Sequence, residues 1–201
     1  MQYYDPRPVR PRPRWQGAAV LSGGFVGLLW VLEVIDLLLL NQTDRLGVRP
    51  GSSDGLMGVL FAPLLHSGFP HLANNTVPLL VLGFLVALNG LSRWVAVTVT
   101  IWLVSGVGTW LVGGWGSVHI GASGLLFGYL VYLVIRGVVS RRPWQILLGV
   151  VVFLVYGSVL WGVLPGTPGI SWQMHLFGAV GGGLAAWWLD KPVRRQPRSV
   201  Y

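Results

Sequence analysis

The residues best suited to covalent chemistry in this chain are the serine of Gly121-Ala122-Ser123-Gly124 and a distant histidine, His175. A serine hydroxyl attacks a carbonyl carbon only if a base removes its proton, and histidine is the usual base because its pKa lies near working pH. Negative charge developing on the carbonyl oxygen then needs preorganised donors. His71 and Asn75 are spaced i, i+4, which puts both on one helix face, and each can donate a hydrogen bond. With the Ser123 backbone N–H they could line an oxyanion hole. No carboxylate stands near His175 in sequence to orient it, so the chemistry reads as a dyad and not a triad.

The elements that must position these residues are apolar. Of 201 residues, 53% are hydrophobic and 10% charged, whereas soluble domains carry about 25% charged residues. Mean hydropathy is +0.65. Six segments of roughly 20 apolar residues read as membrane helices at 17–40, 71–89, 94–112, 122–139, 144–162 and 172–189. The expected fold is an all-α membrane protein: residues 1–15 a basic Pro/Arg-rich tail, 16–190 the six-helix domain, 191–201 a second basic tail. The first segment is too long for a signal-peptide core and lacks a small-x-small cleavage site, so it reads as a retained signal-anchor. Residues 41–70 form the one long loop, whose stretch 54–65 is apolar enough to fold as short interfacial helices. The absence of cysteine leaves the redox compartment open.

The net charge of +8 does not point to nucleic acid. Arg7, Arg10, Arg12 and Arg14 precede the first segment, Arg93 lies between the second and third, and Arg136, Arg141 and Arg142 lie between the fourth and fifth. Lys191, Arg194, Arg195 and Arg198 follow the sixth, and only Arg45 and Arg49 fall on the opposite side. By the positive-inside rule both termini are cytoplasmic, and the basic excess is a topology signal with attraction to anionic lipid. Trp15, Trp94, Trp144, Trp187 and Trp188 would mark the inner interface, and Trp110, Trp115, Trp161 and Trp172 the outer one.

Depth arithmetic brings the polar residues together. At about 1.5 Å rise per residue, Ser123 lies thirteen residues, roughly 20 Å, above Arg136. His175 lies fifteen residues, roughly 22 Å, above Asp190, and Asn75 thirteen residues above Leu88. In a hydrocarbon core about 30 Å thick, all three meet at one level beneath the outer surface, where polar groups face a cavity or one another. Gly178 and Gly182 share the face of His175, so small residues would let its helix approach that of Ser123 closely. Phe127 lies one turn below Ser123, where its ring could pack on the imidazole. Pro78, just below Asn75, would free a backbone carbonyl.

The ordered set His66, His71-x-x-x-Asn75, Gly121-x-Ser123-Gly124 and His175-x-x-Gly178-x-x-x-Gly182 resembles the rhomboid family of intramembrane serine proteases over nearly the whole chain. The resemblance implies a six-helix bundle in which the fourth helix starts deep, below a re-entrant loop. It implies Ser123 as nucleophile, His175 as base, His71 and Asn75 as oxyanion donors, and His66 as a site-shaping residue. Gly121, Gly124, Phe127, Gly178 and Gly182 match the family's supporting positions. The implied substrates are other transmembrane proteins, cut in or near their membrane segment, at a prokaryotic cell membrane with the site opening outward. No cofactor or metal is expected, and oligomeric state is left open. The Trp-Arg pair that many members carry in the first loop is replaced by Met57-Gly58.

Two other readings stand beside this one. A rhomboid-like protein without proteolysis would bind transmembrane clients, and loss of the serine or histidine would mark it; both are present. A metal-dependent membrane protein could draw on four histidines with Glu33 and Asp36. Against it, His-Glu-x-x-His is missing, and His66 and His71 at i, i+5 would point apart on a helix. Glu33 and Asp36 cannot face lipid as charged groups and are expected to be protonated or bonded to the first loop, with Arg45 or Arg49 as partners. The alternative for them is substrate capture or tuning of the site. His119 reads as a loop hydrogen-bond donor, with a substrate-side role as the alternative.

Overall fold

The structure is a computed structural model and describes residues 14–191; the expected arginine-rich tails lie largely outside these. Among the described residues seven α-helices and three 3-10 turns follow one another: α1 Arg14–Leu38, α2 Ser53–Phe61, α3 Phe69–Ala87, α4 Leu91–Val112, α5 Ser123–Ser140, α6 Pro143–Tyr156 and α7 Trp172–Asp190. Five stretches, α1, α3, α4, α5 and α6 with its 3-10 extension to Val163, are long and apolar enough to cross a membrane. The sixth expected segment is the 19-residue helix α7, whose Gln173, His175 and run of three glycines leave it less hydropathic than those five.

α5 is the central post. Twelve of its eighteen residues are buried, including Tyr129, Leu130, Tyr132 and Leu133, as expected of a helix surrounded by others. It packs chiefly on α7, and α7 in turn on α4. The α5–α7 seam is made of glycine. A Cβ on Gly178 would overlap the Gly124 carbonyl oxygen and sit 2.9 Å from its carbon; one on Gly182 would sit 2.8 Å from the Gly128 carbonyl carbon. The sequence expectation of close approach through Gly178 and Gly182 therefore holds, with Gly124 and Gly128 as the facing partners.

α1 lies against α3 with one face: Ala18, Ser22, Val26, Leu29, Glu33 and Asp36 are buried at spacings of three and four residues. Ser22 Oγ donates to the Leu80 carbonyl at 2.8 Å, a bond formed beside Pro78 in α3. α6 is the least buried of the α-helices, burying only Gln145, Gly149 and Val152. The single helix expected over 144–162 tightens into a 3-10 turn at Gly157–Val163, a local narrowing that redirects one carbonyl into the site described below.

The first loop folds as expected into short helices. Ser52 caps α2, its Oγ accepting from Gly55 N at 3.3 Å. Two indoles of α4 pin the loop down: Trp110 Nε1 donates to Ser52 O and Trp102 Nε1 to Val59 O, both at 2.8 Å. Trp110, expected as an interfacial anchor, is instead a tether to the loop. Trp115 and Trp161 are exposed.

Two charge assignments are corrected. Arg136 lies inside α5, buried, and not in a loop; its Nη2 donates to Asn89 Oδ1 at 3.0 Å and pairs with Asp190 at 3.4 Å. A helix end that other helices cover can hold an arginine when a carboxylate meets it. Asp36 does not pair with Arg45 or Arg49: its Oδ1 accepts from Thr43 N at 2.9 Å and Thr43 Oγ1 at 2.5 Å. Arg49 donates instead to the Arg45 carbonyl at 2.7 Å. The chain reversal after α1 brings its own donors closer than the arginines.

Candidate active site

Ser123 is the first residue of α5, reached through Gly121, whose φ is +122°. That backbone conformation excludes most L-residues, and a Cβ at Gly121 would sit 2.9 Å from His71 Cε1 and 3.0 Å from Nε2. The Gly121 amide donates to Ala62 O at 2.8 Å, and the Ala122 amide to His66 Nε2 at 3.2 Å. The turn before the serine is thus stapled to the first loop. As the first helical residue, Ser123 has a backbone N–H without an intrahelical acceptor.

His175 lies one turn into α7, and its Nε2 is 2.9 Å from Ser123 Oγ. Both residues are buried. The other ring nitrogen, Nδ1, is 2.9 Å from the Gly162 carbonyl oxygen. A carbonyl can only accept, so Nδ1 carries the hydrogen. The neutral ring then has a bare Nε2 lone pair, which accepts the Ser123 O–H. The Phe127 ring stacks on the imidazole, centroids 4.1 Å apart and planes 11° from parallel. A Cβ on Gly162 would meet Phe127 Cζ at 2.8 Å and His175 Nδ1 at 3.2 Å. The 3-10 turn, Phe127 and Ser123 thereby fix the imidazole on three sides.

Asn75 is buried on α3, and its Nδ2 has no hydrogen-bond partner among the described residues. A buried amide donor without an acceptor is costly unless a ligand supplies one. His71, one turn earlier, flanks the Gly121 turn through Nε2, while its Nδ1 lies 3.1 Å from Ser67 Oγ. The expectation that His66 and His71 point apart is corrected. α3 begins at Phe69, so His66 is not on that helix, and the two rings meet edge to face at 5.2 Å. Burial, with His71 adding to it, pushes the His66 pKa down to about 3. The ring is neutral and its Nε2 is free to accept from Ala122.

The structure thus brings Ser123, His175 and Phe127 together, sets His71 beside the Gly121 turn, and places His66 behind that turn. Gly124, Gly178 and Gly182 form the seam beneath them. Glu33 and Asp36 stand apart on α1. Among the described residues no three His, Asp or Glu side chains gather as a metal-binding group. Sequence reasoning missed Gly162, because a backbone acceptor has no side-chain signature. It also passed over Ser171, although a serine just before a helix is a recognisable cap; its Oγ accepts from Met174 N at 3.3 Å.

Comparison with known proteins follows the same span. The family model described as Rhomboid domain matches residues 53–192. Relatives include an uncharacterized protein of Mycobacterium tuberculosis, 50% identical over 194 residues that cover 92% of this chain and 80% of the relative. Another, from Mycobacterium leprae, is 46% identical over 192 residues, covering 92% of this chain and 76% of the relative. No solved structure matches.

Proposed function

The chain belongs to the rhomboid family, a family of intramembrane proteases, and on that premise we propose that it is a multi-pass serine endopeptidase cutting transmembrane proteins in or near their membrane segment. The observation that carries the reading is the Ser123–His175 contact at 2.9 Å with the histidine tautomer fixed by Gly162. A bare Nε2 facing a serine hydroxyl is the ground state of a nucleophile and its base.

In the first step the Ser123 oxygen bonds to the substrate carbonyl carbon while its proton passes to His175 Nε2. The resulting imidazolium keeps its Nδ1–H on the Gly162 carbonyl, whose dipole favours the charged ring. The oxyanion is met by Asn75 Nδ2, by the Ser123 amide at the positive end of α5, and by His71 Nε2–H when Ser67 donates to Nδ1. His175 then gives its proton to the leaving amine as the peptide C–N bond breaks. Water, activated by the same histidine, releases the acyl group. A carbonyl in place of a carboxylate behind the histidine makes this a dyad. Water and substrate enter from the outer side, where the first loop and the Gly113–Ile120 stretch cover the site, and both termini stay cytoplasmic across six spans.

The test is labelling of purified protein in detergent with a fluorophosphonate, comparing wild type with Ser123→Ala and His175→Ala. Labelling of wild type alone supports the reading. A folded wild type that resists this probe and a second serine-reactive class refutes it, in favour of client binding without proteolysis.

A further inference from the structure

A buried histidine is left unused by the mechanism. His119 lies in the stretch before Gly121 and is bonded at every polar atom. Its backbone exchanges two hydrogen bonds with Val48 in the first loop, each 2.9 Å. Its Nε2 is 2.8 Å from Ser117 Oγ, and its Nδ1 is 2.6 Å from Ser171 Oγ.

The donors can be assigned. The Ser117 hydroxyl donates to the Gly114 carbonyl at 2.5 Å. Its single hydrogen is spent there, so Ser117 accepts from His119 Nε2–H. The neutral ring then has a bare Nδ1, which accepts the Ser171 hydroxyl hydrogen. Ser171 Oγ in turn accepts the Met174 amide as the cap of α7. Burial holds the His119 pKa below its ordinary value, which keeps this tautomer neutral. The groups that meet the ring are uncharged: Ser117, Ser171 and Gly113, where a Cβ would sit 3.0 Å from Nε2.

The register of this bridge carries the inference. His119 is four residues before Ser123, and Ser171 is four residues before His175. The His175 amide bonds the Ser171 carbonyl at 3.2 Å, so the cap and the histidine share one helical turn. The His119–Ser171 bond therefore runs alongside the Ser123–His175 bond, and each end is tied by one short segment to one reacting side chain. We propose that His119 is a positioning residue for the Ser123–His175 pair, its Nδ1 setting the distance between the re-entrant turn and the first turn of α7 through Ser171. This rests on the proteolytic reading for its catalytic consequence, but not for the bridge itself.

Two near-isosteres separate the two ring nitrogens. Asparagine places Oδ1 where Nδ1 stood and keeps an acceptor for Ser171. Glutamine reaches the Nε2 position and keeps only the Ser117 contact. The experiment measures the fluorophosphonate labelling rate of Ser123, and hydrogen exchange of the amides of residues 172–175, in wild type, His119→Asn, His119→Gln and His119→Ala. Loss of the spacing should slow labelling by roughly tenfold or more in Gln and Ala, with Asn within about threefold of wild type. Exchange in the first turn of α7 should quicken in Gln and Ala but not in Asn. Equal rates for Asn and Gln, or slowing that only follows their thermal midpoints, would overturn the role. An unlabelled wild type would sink the proteolytic reading and with it the catalytic role. The exchange data alone then decide the bridge, and equal protection in Asn and Gln would remove it.

Discussion

Gly178→Ala tests whether the glycine seam sets the geometry of the Ser123–His175 pair. The new Cβ would lie 2.9 Å from the Gly124 carbonyl carbon and inside its oxygen. Carbon atoms in contact rest at about 3.5–4.0 Å, so α5 and α7 must part by at least roughly 0.6 Å. The obstacle is backbone and cannot rotate away. His175 lies one turn above Gly178, and Ser123 adjoins Gly124, so the separation is transmitted directly to the pair. Its 2.9 Å bond would stretch to about 3.5 Å or more, the limit of a useful hydrogen bond. A misplacement of 1 Å costs about a hundredfold in rate, so labelling by a fluorophosphonate should slow between roughly tenfold and a hundredfold. Stability moves less, because alanine gains about 1 kcal/mol of helix propensity against about 1–3 kcal/mol of overpacking. Gly23→Ala is the control: nothing lies within 4 Å of that Cβ, so activity should hold and the thermal midpoint stay or rise. A Gly178→Ala protein labelled within about twofold of wild type would refute the argument.

The other predictions are read in the same preparations. Asn75→Ala should lower the cleavage rate of a transmembrane substrate by about 10²–10³ if its unpartnered Nδ2 is a full oxyanion donor; an unchanged rate removes it from that role. Gly121→Ala should abolish labelling and lower the thermal midpoint, since the position combines φ of +122° with His71 at 2.9 Å; a normal midpoint would show the turn to be less constrained than it looks. His66 is held neutral in the fold down to about pH 3, while the unfolded chain takes up its proton near pH 6.5. Stability should therefore rise with pH across that window, by up to about 1.4 kcal/mol per unit from this group. His66→Gln keeps an acceptor for the Ala122 amide without titrating and should flatten the dependence of the thermal midpoint on pH; parallel curves for the two proteins would contradict the assignment.

Much of this arrangement was legible in the sequence because a membrane helix is a ruler. Counting residues from Ser123 to Arg136 and from His175 to Asp190 put the serine and histidine at one level, and the structure bonds both ends of that ladder. His175 meets Ser123 at 2.9 Å, and Asp190 meets Arg136 at 3.4 Å. Two helices fastened at top and bottom, with glycine between, leave little freedom in register. Arg136 departs from its expected loop position: a basic residue near a helix end looks like a topology signal until its partner is seen. The pairing of Asp36 with Thr43 was hidden for another reason: a chain reversal supplies donors that no periodicity announces.

What sequence could not supply is the backbone chemistry. The group that orients His175 is a carbonyl, and any residue at position 162 would offer one. Glycine is needed there for space, since a Cβ would press on both Phe127 and the imidazole it serves. The carbonyl points inward because the fifth apolar segment tightens into a 3-10 turn at Gly157, a departure that hydropathy does not register. The consequence reaches the chemistry. A carboxylate behind the histidine would bring a full charge into a buried site at a cost in desolvation. A carbonyl selects the same tautomer without that charge, and so suits the proposed role of His175 as a base within a bilayer.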